Sequence, residues 1–493
     1  MDFVMNQFVG VRRALFWVVC GFLLLGSNAS YVAEESTVEE DGEFEFQNNC
    51  DITSGSSEEL IVLGKLVLRT DYVDHGVLHI SKGRIVGMGL DDFAKQIRET
   101  APDATVIDCE DAFVSPGLVN PHEHLRHSGG IPDPKTEPIY DHRDEWRGVF
   151  GEKYALEFEP VEGIARDIWV ELRHLLSGTT TLGASGGVTG LVKNATTQET
   201  SDGYLIDFEI FPYGWVSKFH DMDCPQELED VNPRFSEAEE LIGQPYLAHV
   251  AEGTNCAAAL EGQAFLDFVA ANPGRRYSLL HGVGLSPESI ARLDDLDVTL
   301  VWSPRSNVAL YDTTAKVIEV MATGARVALG SDWSYSGSYN MLEEIQCADR
   351  VDNLQWEDQL SGTDYWVMST SAGAYSLGLE NEIGRLNFGM AGDIVIFQNL
   401  SGDFFQDLLD YEVSNVIATI IDGSIRSGNR LFFDTDQLPA QCQNYIDNHF
   451  VCVDWSSYEG DELTTEGIVE ENRQYEKAVP LFEPKFQAPC LDD

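Results

Sequence analysis

Two histidines one residue apart close the stretch Pro116-Gly117-Leu118-Val119-Asn120-Pro121-His122-Glu123-His124. They constrain the fold of this chain more than any other feature. The apolar run at 112–114 ahead of them reads as a buried strand. Along a strand, residues i and i+2 point to the same side. His122 and His124 therefore converge on one point just past a strand end. Neutral imidazole is a good ligand for zinc, iron or nickel. Paired surface histidines are common, so the weight comes from three later segments of the chain. Residues 245–249 read Pro-Tyr-Leu-Ala-His and continue into Val250-Ala251-Glu252. Residues 277–281 read Tyr-Ser-Leu-Leu-His before Gly282, and residues 326–332 end in Leu329-Gly330-Ser331-Asp332. Each is a short β-prone run that ends at His or Asp, with Gly close by. Any one alone reads equally well as a hydrogen-bonded core residue. The ordered set His-x-His, His, His, Asp reads as a site at the carboxyl ends of parallel strands, as in a (β/α)8 barrel.

Over residues 60–435 the chain resembles the amidohydrolase superfamily of metal-dependent hydrolases. The resemblance rests on PGLVNPHEH (116–124), HVAE (249–252), LLHG (279–282), SPRSN (303–307), ALGSD (328–332) and GRLNFGMAGDIVIF (384–397). His-x-x-Glu after the fifth strand resembles the mononuclear branch of deaminases, chlorohydrolases and imidazolonepropionase. The implied fold is α/β: a (β/α)8 TIM-type barrel inserted into a small composite β-sandwich built from both ends of the chain. The resemblance implies one divalent metal, zinc first and iron second, held by His122, His124, His249 and Asp332. Such a metal lowers the pKa of a bound water and supplies hydroxide near neutrality. Asp332 would also receive the water's proton. Glu252 would carry protons to the leaving nitrogen, and His281 would polarise the group under attack.

The implied reaction is hydrolysis of a carbon–nitrogen bond other than a peptide bond. It would deaminate a small heterocyclic substrate, or open a cyclic amide or amidine. Two alternatives stand beside it. Binuclear relatives carry a bridging Lys after the fourth strand, and Lys218 is the only Lys between 194 and 249. If Lys218 bridges two metals, an amidase or dipeptidase-like reaction follows; alternatively, His220 lines the pocket. A catalytically inactive binding protein on the same fold is the other alternative, against which all the inferred ligands and Glu252 count. Residues 125–150, with His127, His142, Arg143, Asp144, Trp146 and Arg147, read as a long polar loop at the mouth of the site. Trp302, Arg305, Trp333 and Tyr335 flank the last two strands. They suit a flat, partly charged heterocycle and suit packing roles equally.

Composition limits the partners. In 493 residues, 31 Lys and Arg face 83 Asp and Glu, a net charge of −52. Such a surface repels nucleic acid and anionic membranes, leaving a small-molecule substrate as the expected partner. A homo-oligomer stays open. Residues 1–30 read as a signal peptide: Arg12-Arg13, an apolar run at 14–26, then small residues through Ser30. Export to the periplasm or the medium follows, without stable membrane insertion after cleavage; an anchor formed by residues 14–26 is the alternative. Residues 31–59 read as an acidic disordered linker. The sandwich is expected from 60–115 and 383–435, with the barrel at 116–382. Within the barrel, residues 205–212 read as strand three or four. Residues 436–493 resemble no known module. Of the nine cysteines, three lie in that tail, and Cys442–Cys452 is the expected disulfide there.

Overall fold

The computed structural model describes residues 50–131, 139–147, 156, 158, 160–195, 244–458, 463–475, 478–482 and 490–491. The signal segment, residues 31–49 of the acidic linker, residues 205–212, Lys218 and His220 lie outside them.

Two sets of strands organise the described chain. The first comes from both ends of the sequence: β1 (Asp51–Thr53), β2 (Glu59–Val67), β3 (Tyr72–Ser81), β4 (Arg84–Leu90) and β5 (Thr105–Pro116). The second set is parallel: β6 (Leu118–Glu123), β7 (Thr179–Ala184), β8 (Lys193–Asn194), β9 (Tyr246–Val250), β10 (Tyr277–His281), β11 (Val298–Trp302) and β12 (Val327–Leu329). The first set then resumes with β13 (Ile394–Phe397), β14 (Val416–Ile421), β15 (Ser424–Asn429), β16 (Asn444–Ile446) and β17 (His449–Val451).

The terminal strands form one ten-stranded sheet in the order β16-β17-β15-β14-β13-β5-β2-β3-β4, with β1 also paired to β5. The expectation is a small composite sandwich built from both ends of the chain, and both ends do contribute to this sheet. A single hydrogen-bonded path results because β5, at twelve residues, is long enough to serve both halves. Its residues 105–108 pair with β2, and its residues 113–116 pair with β13. The run at 112–114 belongs to this sheet, and the histidine pair sits at the end of β6 instead.

Residues 50–59, expected in the acidic linker, are already ordered and include β1. A disulfide joins Cys50 to Cys109 and β1 pairs with β5, which outweighs the acidic composition of the segment. The C-terminal extension is part of the same body. It supplies β16 and β17, the latter paired with β15, and the helix Thr465–Arg473 packs on the helix Ile164–Leu176. Disulfides Cys442–Cys452 and Cys347–Cys490 fasten it.

The parallel strands are short Val, Leu and Tyr runs whose side chains are buried on both faces. The described order is β8-β7-β6 and β12-β11-β10-β9. A parallel bridge between Glu123 and Asp332 joins β6 to the end of β12. Leu279 and Leu300 are fully buried within this region, and truncating such a leucine to alanine costs about 2–5 kcal/mol. Two glycines set the approach of strands. A Cβ at Gly117, where the chain passes from β5 to β6, would meet Thr180 Oγ1 at 2.1 Å. A Cβ at Gly330 would meet His122 Cβ at 2.5 Å. Among the described residues no helix is long and apolar enough to cross a membrane.

Candidate active site

The expected residues meet at the carboxyl ends of the parallel strands. His122 lies in the last turn of β6 and His124 just beyond it; His249 lies near the end of β9, and His281 ends β10. Asp332 follows β12. His122 Nε2 lies 3.3 Å from His124 Nε2 and 3.2 Å from His249 Nε2, and the latter two are 3.2 Å apart. Asp332 Oδ1 is 3.3 Å from Nε2 of both His122 and His124. An imidazole nitrogen offers one hydrogen or one lone pair in the ring plane. Three of them aimed at one point cannot satisfy one another by hydrogen bonding, whereas a cation between them satisfies all three. Ligands held about 2.0–2.1 Å from a tetrahedral zinc-sized ion lie about 3.3–3.4 Å apart, which matches these edges. The donor set therefore fits a divalent metal.

Three non-glycine residues at the site hold strained backbones. Ala251, His281 and Asp332 all have left-handed backbones, with φ of 55°, 69° and 61°. Such conformations persist where surrounding contacts over-determine them, and they cluster at functional sites.

Much of that surrounding comes from the SPRSN segment, which opens the helix Pro304–Tyr311 after β11. Ser303 Oγ lies 2.9 Å from His122 Nδ1. Ser306 donates to Asp332 Oδ2 at 2.6 Å. Asn307 Oδ1 lies 2.9 Å from His281 Nδ1, and its amide nitrogen donates to Thr314. The Asn307 oxygen therefore accepts from His281 Nδ1–H. The motif is visible in the sequence; its three separate partners are not. Arg305 turns away from the histidines, donating to Ser338 Oγ at 2.7 Å.

Glu252 is buried beside His281, with Oε1 3.7 Å from His281 Nε2. Tyr311, at the end of the same helix, donates to Oε1 at 2.9 Å, and Trp146 Nε1 donates to the Tyr311 oxygen at 2.9 Å. Glu252 Oε2 is buried with no hydrogen-bond partner among the described residues. Tyr311 carried no sequence signal beyond its place four residues after Asn307. The polar loop also docks here. Arg143 makes a two-pronged ion pair with Glu261 and donates to the His249 carbonyl at 3.2 Å. Trp146, Phe158, Trp333 and Tyr335 form a chain of ring contacts 5.3–6.1 Å between centroids, and His127 joins it through Phe158. Trp302 instead packs in the core against Trp356.

Burial governs the electrostatics. It holds the His124 imidazole down at about 3, and His122 and His249 well below the usual histidine range. It raises the Asp332 carboxyl to about 7. Burial, with the Glu252 charge beside it, pushes the Tyr311 phenol well up, so this hydroxyl stays a donor. Glu123, between the paired histidines, behaves differently. Burial pushes its carboxyl up, but Arg173 and His174 outweigh that and bring it to about 2.

Residues 177–430 match the model of the amidohydrolase family. A 5-methylthioadenosine/S-adenosylhomocysteine deaminase of Syntrophomonas wolfei is 31% identical over 183 residues, covering 34% of this chain and 42% of that enzyme. Its counterpart from Caldanaerobacter subterraneus is 25% identical over 342 residues, covering 62% of this chain and 78% of that enzyme. The chain thus spans less than half the length of the first relative. The crystal structure of an adenosine deaminase from Xanthomonas campestris with bound zinc shares the fold, with a TM-score of 0.55 at 16% identity over 84% of this chain and 97% of the other. The family model alone takes in more than half of the sequence, so the chain belongs to the amidohydrolase family.

Proposed function

We propose that this chain is a mononuclear zinc hydrolase of non-peptide carbon–nitrogen bonds that deaminates a small aromatic heterocycle. One observation carries the reading. The Nε2 atoms of His122, His124 and His249 lie 3.2–3.3 Å apart, Asp332 Oδ1 lies 3.3 Å from the first two, and Glu252 beside His281 has a buried carboxylate oxygen with no hydrogen-bond partner among the described residues. Those four residues would hold the metal, which supplies a Lewis acid able to make hydroxide available near neutrality. Asp332 takes the proton of the attacking water, its Oδ2 kept in place by Ser306. Glu252 Oε2 passes a proton to the leaving nitrogen while Tyr311 occupies Oε1. His281 Nδ1–H is committed to Asn307, so polarising the group under attack requires a second proton on Nε2. The carboxylates of Glu252 and Asp332, 3.7 and 4.0 Å away, neutralise that charge.

The ring cluster of Trp146, Phe158, Trp333 and Tyr335 supports a flat substrate, as does the likeness to purine-nucleoside deaminases. The seven parallel strands among the described residues support a (β/α)8 barrel. Lys218 lies outside the described residues, and its bridging role stays the binuclear alternative that metal stoichiometry tests. The disulfides Cys50–Cys109, Cys347–Cys490 and Cys442–Cys452, together with the apolar N-terminal run, support export from the reducing cytosol. Elemental analysis of the purified chain, followed by turnover of 5′-methylthioadenosine, S-adenosylhomocysteine, guanine and cyclic amides, tests the reading. A metal-replete protein that turns over none of the aminated rings but opens a cyclic amide would replace deamination with ring hydrolysis.

A further inference from the structure

The residue between the paired histidines has no role in the proposed hydrolysis, yet it is among the most completely engaged side chains in the molecule. Strand alternation sends Glu123 to the side opposite His122 and His124. There it is fully buried. Its Oε1 accepts from Arg173 at 2.6 Å and from Ser128 at 2.9 Å. Its Oε2 accepts from Ser331 at 2.7 Å, and His174 Nε2 lies 3.2 Å away. Arg173 and His174 are themselves fully buried on the helix Ile164–Leu176.

Three of the four metal-binding side chains sit on β6 and on the segment just after β12. Backbone pairing between these segments is slight: one bridge, with Asp332 N–H donating to the His122 carbonyl at 2.9 Å. Side chains do the rest. Asn120 donates to Ser331 Oγ at 2.7 Å, and Ser331 passes its own hydrogen to Glu123. Ser331 directly precedes Asp332, whose left-handed backbone needs bracing. A buried ion pair is a weak source of stability, because apolar replacements of both partners are often neutral. It does fix direction, through charge-assisted bonds of defined geometry.

We propose that Glu123 is a positioning residue of the metal centre, locking the His-x-His strand to Asp332 through Ser331 and bracing both against Arg173. This rests on the reading that His122, His124, His249 and Asp332 hold the metal. Outer partners of metal ligands are typically worth about 10–100-fold in metal affinity, and Glu123 is assigned that order.

The test measures zinc affinity of the full metal-stripped chain by competition with a chromophoric chelator, alongside its melting temperature. Glu123→Gln should weaken zinc binding about 10–100-fold while the metal-free chain still melts cooperatively. Arg173→Met should lower the melting temperature sharply, since it strands a buried carboxylate. The double variant Glu123→Gln, Arg173→Met should recover much of that melting temperature yet keep the weakened zinc affinity. A merely structural pair would recover both. Should Glu123→Gln fail to fold, Ser331→Ala removes only the hydroxyl that Glu123 holds and carries the same expectation. Wild-type zinc affinity in Glu123→Gln and in the double variant overturns the proposal. His122→Ala separates the two readings: if it binds zinc normally, the ligand assignment itself fails; if it loses zinc while Glu123→Gln does not, only the positioning role fails.

Discussion

Tyr311 gives its phenolic hydrogen to Oε1 of Glu252 at 2.9 Å. The direction is fixed, because Trp146 donates its indole hydrogen to the same phenolic oxygen and an indole nitrogen cannot accept. One carboxylate oxygen is thereby occupied, and the other has no hydrogen-bond partner among the described residues. Tyr311→Phe keeps the ring and removes the bond. A hydrogen bond to a charged group is worth about 1.5–3 kcal/mol, so kcat should fall about 10–100-fold with metal content unchanged. Turnover and metal content measured on one preparation decide it; unaltered kcat would show that Tyr311 does not serve Glu252 in the reaction.

Metal content should be about one zinc or iron per chain, by the four-ligand stoichiometry of such sites. His122→Ala should empty the site, as elemental analysis will report. Two equivalents, both lost on Lys218→Ala, would instead establish a binuclear centre.

Glu252→Gln should retain metal and fold, because Glu252 is not among the proposed ligands and the amide is nearly isosteric. Its turnover should fall roughly 10²–10⁴-fold, the usual worth of a positioned acid–base group. Asp332→Asn should lose metal as well as rate. Turnover restored to Glu252→Gln by excess metal would recast Glu252 as a support for a histidine ligand.

Acid should destabilise the metal-free fold in two stages. Burial holds His142 at about 3 against an ordinary 6.5. Between those values the unfolded chain binds the proton and the folded chain does not, so stability falls as pH drops from 6.5 toward 3. Glu123 lies at about 2 against 4.5. Its contribution is fully present above 4.5 and is lost as pH falls toward 2. Urea midpoints should therefore decline on acidification, and Glu123→Gln should flatten the lower part of that decline. Equal midpoints across the whole range would contradict both assignments.

The mature chain should begin near Ser30 or Tyr31, where small residues end the apolar run. N-terminal sequencing of exported protein gives the answer. An intact Met1 on membrane-bound material would favour the anchor.

The convergence of the proposed ligands His122, His124, His249 and Asp332 was legible because each stands at or just past the end of a β-prone run, where alternation and strand direction say where a side chain goes. Tyr311 was not, since its contact with Glu252 depends on how the helix Pro304–Tyr311 lies across β9. Glu123 was hidden for a related reason. Alternation places it away from the metal, and a carboxylate there reads as solvated unless Arg173 is known to be waiting. Residues 362–376 form two helices, Gly362–Met368 and Ser371–Ser376, rather than one. At the break, Ser369 and Thr370 turn their hydroxyls back onto the carbonyls of Tyr365 and Trp366, a local competition that hydrophobic periodicity does not register. The single sheet went unread because pairing of β5 with β13 joins segments remote in sequence.

That pairing sets an order of events during synthesis. β5 is complete by Pro116, while its neighbour β13 begins only at Ile394. At about 5–20 residues per second, this side of β5 stays open for on the order of tens of seconds, and an open edge is a template for pairing with other chains. Cys50 and Cys109 both emerge early, so their disulfide can fasten β1 to β5 while the parallel strands are still being made. Cys347–Cys490 must wait for almost the last residue. A chain interrupted before Cys490 would therefore carry its oldest crosslink and lack its youngest, which makes the count of closed disulfides a clock of how far the molecule had been built.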